Sequence, residues 1–301
     1  MTNLNGDFDK LCAELQRMVM EELALPDLIS LRKTRMENNE GVKDYMEDRR
    51  RKLYEVFVKD VDKLKDLMER TGTVVSGSSA LHLFQPKPNV LRLQDLDVYA
   101  TEEFSQKVLN HFKDDEEYEV TNTVKWRRDY NSSAISRVHK LEKNGKLVDV
   151  IITNWASAII PVLQYHSTIV MNYMTAHTFI SLYPEWTKAG KSLVNPAVYM
   201  GEKSNLQTVL ALMKYIRRGF YVSAEPFDMG IHNCDQSTYC PRTTRTTIDE
   251  GTPHWEFEVK NTVGKTVIVC NNMAVIEWCL RGEGCKDENE ESVAAHIAIA
   301  A

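Results

Sequence analysis

Apolar and polar positions fall into three regimes along the chain. Over residues 6–70 apolar side chains recur at helical spacing. Leu11, Leu15, Met18, Val19 and Leu23 form one stripe, Pro26 breaks it, Leu28 to Thr34 resumes it, and Tyr45 to Met68 forms one long amphipathic stretch. From Val74 to Ala100 the pattern changes to an apolar strand, a Gly-Ser turn, a short helix, a Pro-bearing loop and a second strand. Thr101 then caps a helix carrying Phe104, Val108, Leu109 and Phe112, with Glu102 and Glu103 in its first turn. Glu117 to Trp126 and Ser133 to Lys140 alternate as strands. Asn144-Gly145 is the pair that a two-residue type I′ hairpin prefers, and it joins a strand over Ser133 to Glu142 to the β-branched run from Leu147 to Thr153.

The third regime begins at Asn154, which is placed to cap a helix over Ala158 to Tyr165. Tyr165 to Pro184 suits either a strand or a buried helix. Glu202 to Phe220 reads as a helix, since Leu206, Val209, Leu210, Met213 and Ile216 recur at three and four. The tail from Asp287 is acidic, then Ala-rich, and is expected to fray. These elements predict an α/β (α+β) fold, a mixed sheet with flanking helices. Its expected parts are a helical N-terminal segment (1–70), a sheet-bearing core (71–165), a second and largely helical region with a Cys-containing α/β portion (166–286), and a flexible tail (287–301).

The second strand carries the first chemical signal. Asp95 and Asp97 are two residues apart, so both carboxylates leave one face of a strand while Leu96 and Val98 leave the other. Carboxylates crowded on one face repel and raise each other's pKa unless a cation lies between them. Asp149 adds a third acid inside an apolar run, where an unpaired carboxylate is costly to bury. The turn of Gly77, Ser78 and Ser79 opens a helix, whose free N–H groups and hydroxyls suit phosphate oxygens.

A Gly-Ser turn starting a helix, Asp-Leu-Asp-Val on a strand and a single Asp in a later apolar strand together resemble the nucleotidyltransferase superfamily. That superfamily includes DNA polymerase beta, poly(A) polymerases and CCA-adding enzymes. The resemblance covers residues 72 to 153, with a longer loop between Ser78 and Asp95, holding Pro86 and Pro88, than compact members have. It implies that Asp95, Asp97 and Asp149 bind Mg2+ or Mn2+ and are catalytic, with Asp149 helping to activate the acceptor hydroxyl. It further implies that Gly77, Ser78 and Ser79 hold the triphosphate of a nucleoside triphosphate. Ser167 to Thr175 is similar to a poly(A) polymerase segment that aligns Asn172 with the family's Asn, but the two arginines and the aspartate preceding it there are missing here. Asn205 to Phe220 is similar to the neck helix of those enzymes, with Lys214, Arg217 and Arg218 as its basic residues; Lys214 and Arg217 join Asn172 as nucleotide-binding candidates. The implied reaction is transfer of a nucleoside monophosphate to an acceptor hydroxyl, with release of pyrophosphate. An RNA end, a protein and a small molecule all remain open as acceptor. LALPDLISLRKT faintly resembles the middle of an F-box, which makes a non-catalytic adaptor with a protein partner at the N-terminal helices the alternative.

Composition narrows the classes. The 301 residues include 43% hydrophobic ones, enough for a sizeable core, and the net charge of −6 argues against a general nucleic-acid coat. No stretch approaches the apolar length of a membrane span, and Asp7 and Asp9 stand where a signal peptide would be basic and then apolar, so an intracellular protein, cytoplasmic or nuclear, is expected. Five of six cysteines lie beyond residue 230 and are expected as reduced thiols. His232, Cys234, Cys240 and His254 are metal-ligand types, but no Cys-x-x-Cys pair occurs, so buried free cysteine is expected rather than structural zinc. The Asp48 to Lys52 run is expected to be a solvated helix face. Lys125, Arg127, Arg128, Arg137 and His139 suit either an exposed strand edge or phosphate contacts, and Arg242 and Arg245 lie in a polar segment with the makings of a lid over a nucleotide.

Overall fold

The computed structural model describes residues 7–87, 92–125, 133–199, 206–257, 275–282, 285 and 296–299. Four helices come first: α1 (Ala13–Glu21), α2 (Leu25–Arg32), α3 (Met36–Glu55) and α4 (Val61–Thr71). Pro26 starts α2 instead of merely ending α1, because its missing N–H costs nothing in a first turn. The stretch from Tyr45 to Met68 is two helices. Asp60 divides them by accepting the Lys63 N–H at 3.0 Å as the cap of α4.

β1 (Val74–Ser76) runs directly into α5 (Gly77–Phe84), and β2 (Asp95–Thr101) precedes α6 (Ser105–Asn110). Thr101 makes no capping bond; a 3-10 turn over Glu102–Phe104 intervenes, and the buried Thr101 hydroxyl has no partner among the described residues. A meander of β3 (Glu119–Lys125), β4 (Ile135–Lys143) and β5 (Lys146–Thr153) follows. The β4–β5 turn is the hairpin read from Asn144-Gly145, with φ of 51° and 74° at the two positions. The helix expected after Asn154 is only the single turn α7 (Ile160–Leu163); Asn154 does not cap it but donates its N–H to Ala134 O at 3.2 Å.

Then come β6 (Asn172–Met174), β7 (Thr178–Ser181), α8 (Pro184–Lys188), β8 (Lys191–Leu193), α9 (Leu206–Arg217) and β9 (Tyr221–Ser223). The undecided stretch from Tyr165 to Pro184 is therefore a strand pair. Beyond α9 the expected helical region holds, among the described residues, a 3-10 turn over Pro226–Met229, further turns and short strands: β10 (Arg245–Thr246), β11 (His254–Glu256), β12 (Ile276–Cys279) and β13 (His296–Ile299).

Eight strands form one sheet in the order β11-β7-β6-β1-β2-β5-β4-β3, antiparallel between neighbours except for the parallel β2–β5 pair. Strand parity gives the sheet two faces. Leu96, Val98 and Ala100 of β2 and Val148, Val150 and Ile152 of β5 point into a core shared with Leu25, Leu28, Met46, Leu53 and Leu64 of the N-terminal helices. The opposite face, with Val74, Tyr99, Val138 and Ile151, packs on Ile159, Leu163, Met171 and Trp278.

Two arginines of the Asp48 to Lys52 run are interior, not solvated. Arg49 donates to His82 O and Gln85 O at 3.0 and 2.8 Å, bonding carbonyls at the C-terminal end of α5, while Arg50 donates to Ala176 O at 2.7 Å and stacks 3.7 Å from the Phe257 ring. The apolar stripe of α9 departs from expectation too. Leu206, Val209, Leu210, Met213 and Ile216 are exposed, and the helix is anchored instead by buried Tyr215 against Leu81, Ile169 and Phe220.

Since the N-terminal helices and the sheet share one core, Leu28→Ala should cost about 2–4 kcal/mol and leave a single unfolding transition. Urea unfolding followed by both tryptophan fluorescence and circular dichroism checks this; two separated transitions would show that the helices fold on their own.

Candidate active site

The register of β2 and β5 assembles the acids. Asp97 pairs directly with Asp149, and Asp95 lies one side-chain pair earlier on β2, so all three carboxylates leave the same face. On the other side β1 sets Ser76 opposite Asp97 and then turns sharply at Gly77. Gly77 has φ of 67°, and a Cβ there would come 2.1 Å from Asp97 Oδ2 and 3.1 Å from the Tyr165 hydroxyl. Glycine is required twice over, by the left-handed backbone and by the close approach.

Both serines of the turn serve Asp95. Ser78 Oγ donates to Asp95 Oδ1 at 3.1 Å and Ser79 Oγ to the Asp95 backbone O at 3.0 Å. At the N-cap of α5, Ser76 makes no capping bond; its hydroxyl donates to Asn172 O at 2.5 Å instead. That leaves the first N–H groups of α5 without a cap from Ser76. Asn172 itself lies in the interior, where Nδ2 donates to Ile169 O at 2.9 Å and Oδ1 has no partner among the described residues.

Burial, reinforced by like charge, sets the electrostatics of the acids. Burial, then the carboxylates of Asp95 and Asp149, push the Asp97 pKa well above the usual carboxylate range, against the opposing pull of Lys214 and Lys140. Asp149 is also raised, mainly by burial, while Lys140 stands 3.6 Å from its Oδ2 and lowers it. Lys214, on α9, therefore reaches the field of the acids, whereas Arg217 is exposed. Arg218 lies beside the Tyr215 ring, 5.3 Å from its centroid. His166, close to Lys214 and mostly buried, is held down to about 4 and is neutral at physiological pH.

Sequence reasoning missed several neighbours of the acids. Tyr99 follows Asp97 on the same face and hydrogen-bonds the Tyr165 hydroxyl; strand parity alone would have found it. Lys140 faces Asp149 because the Asn144-Gly145 turn fixes the β4–β5 register. Tyr165, His166 and Tyr215 arrive by tertiary packing.

Other candidates are placed elsewhere. Arg137 pairs with Glu102, and His139 contacts Thr123 Oγ1 at 3.0 Å; Arg127 and Arg128 lie outside the described residues. Arg245 is no lid residue. It is buried, bonds Asp249 at 2.7 and 2.8 Å and Thr252 at 2.8 Å, and lies among the rings of Tyr183, Tyr239 and Trp278. His254 is exposed on β11 and 3.7 Å from Glu256, away from Cys234 and Cys240. The cysteines expected as free thiols are instead gathered: His232, Cys234, Cys240 and Cys285 each bring a ligand atom within 4.8 Å of the others. Cys270 lies outside the described residues.

No family model, curated protein or solved structure matches the chain. Among the described residues no helix is long and apolar enough to cross a membrane.

Because folding raises the pKa of Asp97 and Asp149, the folded protein binds more protons than the unfolded chain, and stability falls as pH rises from about 4 through the raised values. In metal-free buffer Asp97→Asn should therefore raise Tm at neutral pH and flatten that decline. Thermal unfolding across a pH series checks it; a lowered Tm at neutral pH would mean that Asp97 is a stabilising acceptor.

Proposed function

We propose that this chain is a metal-dependent nucleotidyltransferase that moves a nucleoside monophosphate from a nucleoside triphosphate to an acceptor hydroxyl and releases pyrophosphate. The observation that carries the reading is the contact of Gly77 with Asp97, which brings an N-terminal helix turn against an acid in register with Asp149. The donor set fits a hard divalent cation: all oxygen, crowded by like charge, with no arginine bonded to any of the three carboxylates among the described contacts. Mg2+ or Mn2+ held by Asp95, Asp97 and Asp149 would supply charge neutralisation on the triphosphate and acidification of the acceptor hydroxyl.

The chain's own groups divide the remaining work. The first N–H groups of α5 point a positive dipole end at phosphate oxygens, and Gly77 lets the backbone come close. Lys214 adds mobile positive charge from α9, where it already acts on Asp97. Ser78 and Ser79 orient Asp95 by its carboxylate and its carbonyl. Lys140 fixes one oxygen of Asp149 and leaves the other to receive or relay the acceptor proton.

A second reading is a non-catalytic nucleotide-binding adaptor, and α1 favours it: Leu15, Met18 and Val19 are exposed there, a surface suited to a protein partner. The leucines of the F-box-like segment do not contribute, since Leu25 and Leu28 are spent in the core.

Asp149→Asn separates the readings. It should keep triphosphate affinity within a few-fold yet lower turnover by at least ~10²-fold, because it removes an interaction made mainly in the transition state. Labelled triphosphates, Mg2+ or Mn2+ and a pool of acceptors, with pyrophosphate and labelled product as readouts, measure it. Triphosphate binding without pyrophosphate in the wild-type chain would favour the adaptor. Lys214→Ala should raise KM for the triphosphate by about tenfold, as one charged hydrogen bond of about 1.4 kcal/mol is lost; an unchanged KM would remove Lys214 from the site.

A further inference from the structure

A second gathering of ligand atoms includes none of the aspartates and uses different chemistry. His232 Nε2 stands 3.4 Å from Cys234 Sγ and 3.3 Å from Cys285 Sγ, and Cys240 Sγ completes a set whose atoms all fall within 4.8 Å of one another. A tetrahedral ion with Zn–S of about 2.3 Å and Zn–N of about 2.0–2.1 Å has N···S edges of about 3.6 Å and S···S edges of about 3.8 Å. We propose that His232, Cys234, Cys240 and Cys285 bind a structural zinc ion.

Local folding prepares three of the ligands. Gln236 and Ser237 donate their N–H groups to Asn233 O at 3.1 and 2.8 Å, and Cys240 donates its own to Ser237 O at 2.9 Å. Successive turns thus wind the segment so that His232, Cys234 and Cys240 face one point. The Arg242 N–H donates to the Cys240 sulfur, an outer bond that orients a thiolate and stabilises its charge. Phe227 stacks edge-on against His232, with centroids 4.9 Å apart.

The fourth ligand comes from far along the chain. Cys285 is 53 residues from His232, so an ion here closes a long loop and ties the chain beyond β12 to the His232–Cys240 turns. Other cysteines have other roles. Cys279 donates its S–H to Pro241 O and Arg242 O at 3.1 and 3.2 Å, and Cys12 is exposed near the other end of the chain.

Soft thiolates with one imidazole select zinc over Mg2+ or Ca2+, and four protein ligands leave no open position for a substrate. The ion is structural for that reason. On binding, the three thiols release their protons to solvent, while His232 binds through Nε2 and keeps its proton on Nδ1.

Metal analysis of the full chain, purified reduced and exposed to zinc, tests the proposal. About one zinc per chain is expected, with Cys285→Ser and Cys234→Ser losing it and Cys12→Ser keeping it. Replacing zinc by Co2+ in the wild-type chain should give thiolate-to-cobalt charge-transfer absorption and tetrahedral d–d bands, a readout that does not depend on any variant folding. A folded wild-type chain without zinc and without those bands overturns the proposal, as does zinc retained in full by Cys285→Ser.

Discussion

The carboxylate of Asp97 is pressed from three sides. β2 places it beside Asp95, β5 brings Asp149 level with it, and the backbone of Gly77 closes over it so tightly that not even a methyl group fits. Each pressure raises the cost of its charge, and none can be relieved by a side-chain rotation that keeps the sheet intact. Leu96 and Val98 flank it on the same strand and are buried completely on the opposite face. Sliding β2 by one residue would exchange acids for core, so the apolar core that anchors the N-terminal helices also fixes the acids where they repel.

The distribution of cations sharpens that arrangement. Arg49, Arg50 and Arg245 are the largest charged groups taken into the interior, and each is committed to backbone carbonyls, aromatic rings or a single acid, Glu47 for Arg50 and Asp249 for Arg245. Arginine in such places is held by planar, directional bonds and is unavailable to neutralise the aspartates. Among the described residues Lys140 and Lys214 do reach them, and these are single-point charges on flexible stems. A site meant only for stability would be better served by one bidentate arginine. Crowded acids with lysines at their margin are better suited to a charge that comes and goes.

Much of this was legible in the sequence where local rules decide. The shared face of Asp95 and Asp97 follows from strand period, and the Asn144-Gly145 turn gives the β4–β5 register that seats Lys140 opposite Asp149. Legibility failed where burial overrides residue type. A run of Asp48-Arg-Arg-Arg-Lys52 looks solvated until α5 and Ala176 supply carbonyls for its arginines. Arg245 looks like a loop cation until aromatic rings surround it. The apolar stripe of α9 marked a helix correctly but not its buried side, since Tyr215 does the packing. His254, a ligand type by sequence, lies on β11 outside the cluster, and long-range chain return brings Cys285 to Cys240 instead.

The region beyond α9 shows why such a return matters. Its described strands are two to four residues long, yet Trp255 of β11 and Trp278 of β12 are buried in the cores on the two faces of the large sheet. Polar ties add to that apolar anchoring. Arg245 with Asp249 and Thr252 provides one tie, made of buried charge and hydrogen bonds. The zinc proposed for His232, Cys234, Cys240 and Cys285 would provide another, through ligand atoms of a softness opposite to that of the aspartates. Oxygen donors crowded by repulsion and sulfur donors gathered by turns select different ions. A cation exchanging at Asp95, Asp97 and Asp149 would therefore leave the thiol cluster undisturbed, and the scaffold would keep its shape through each exchange.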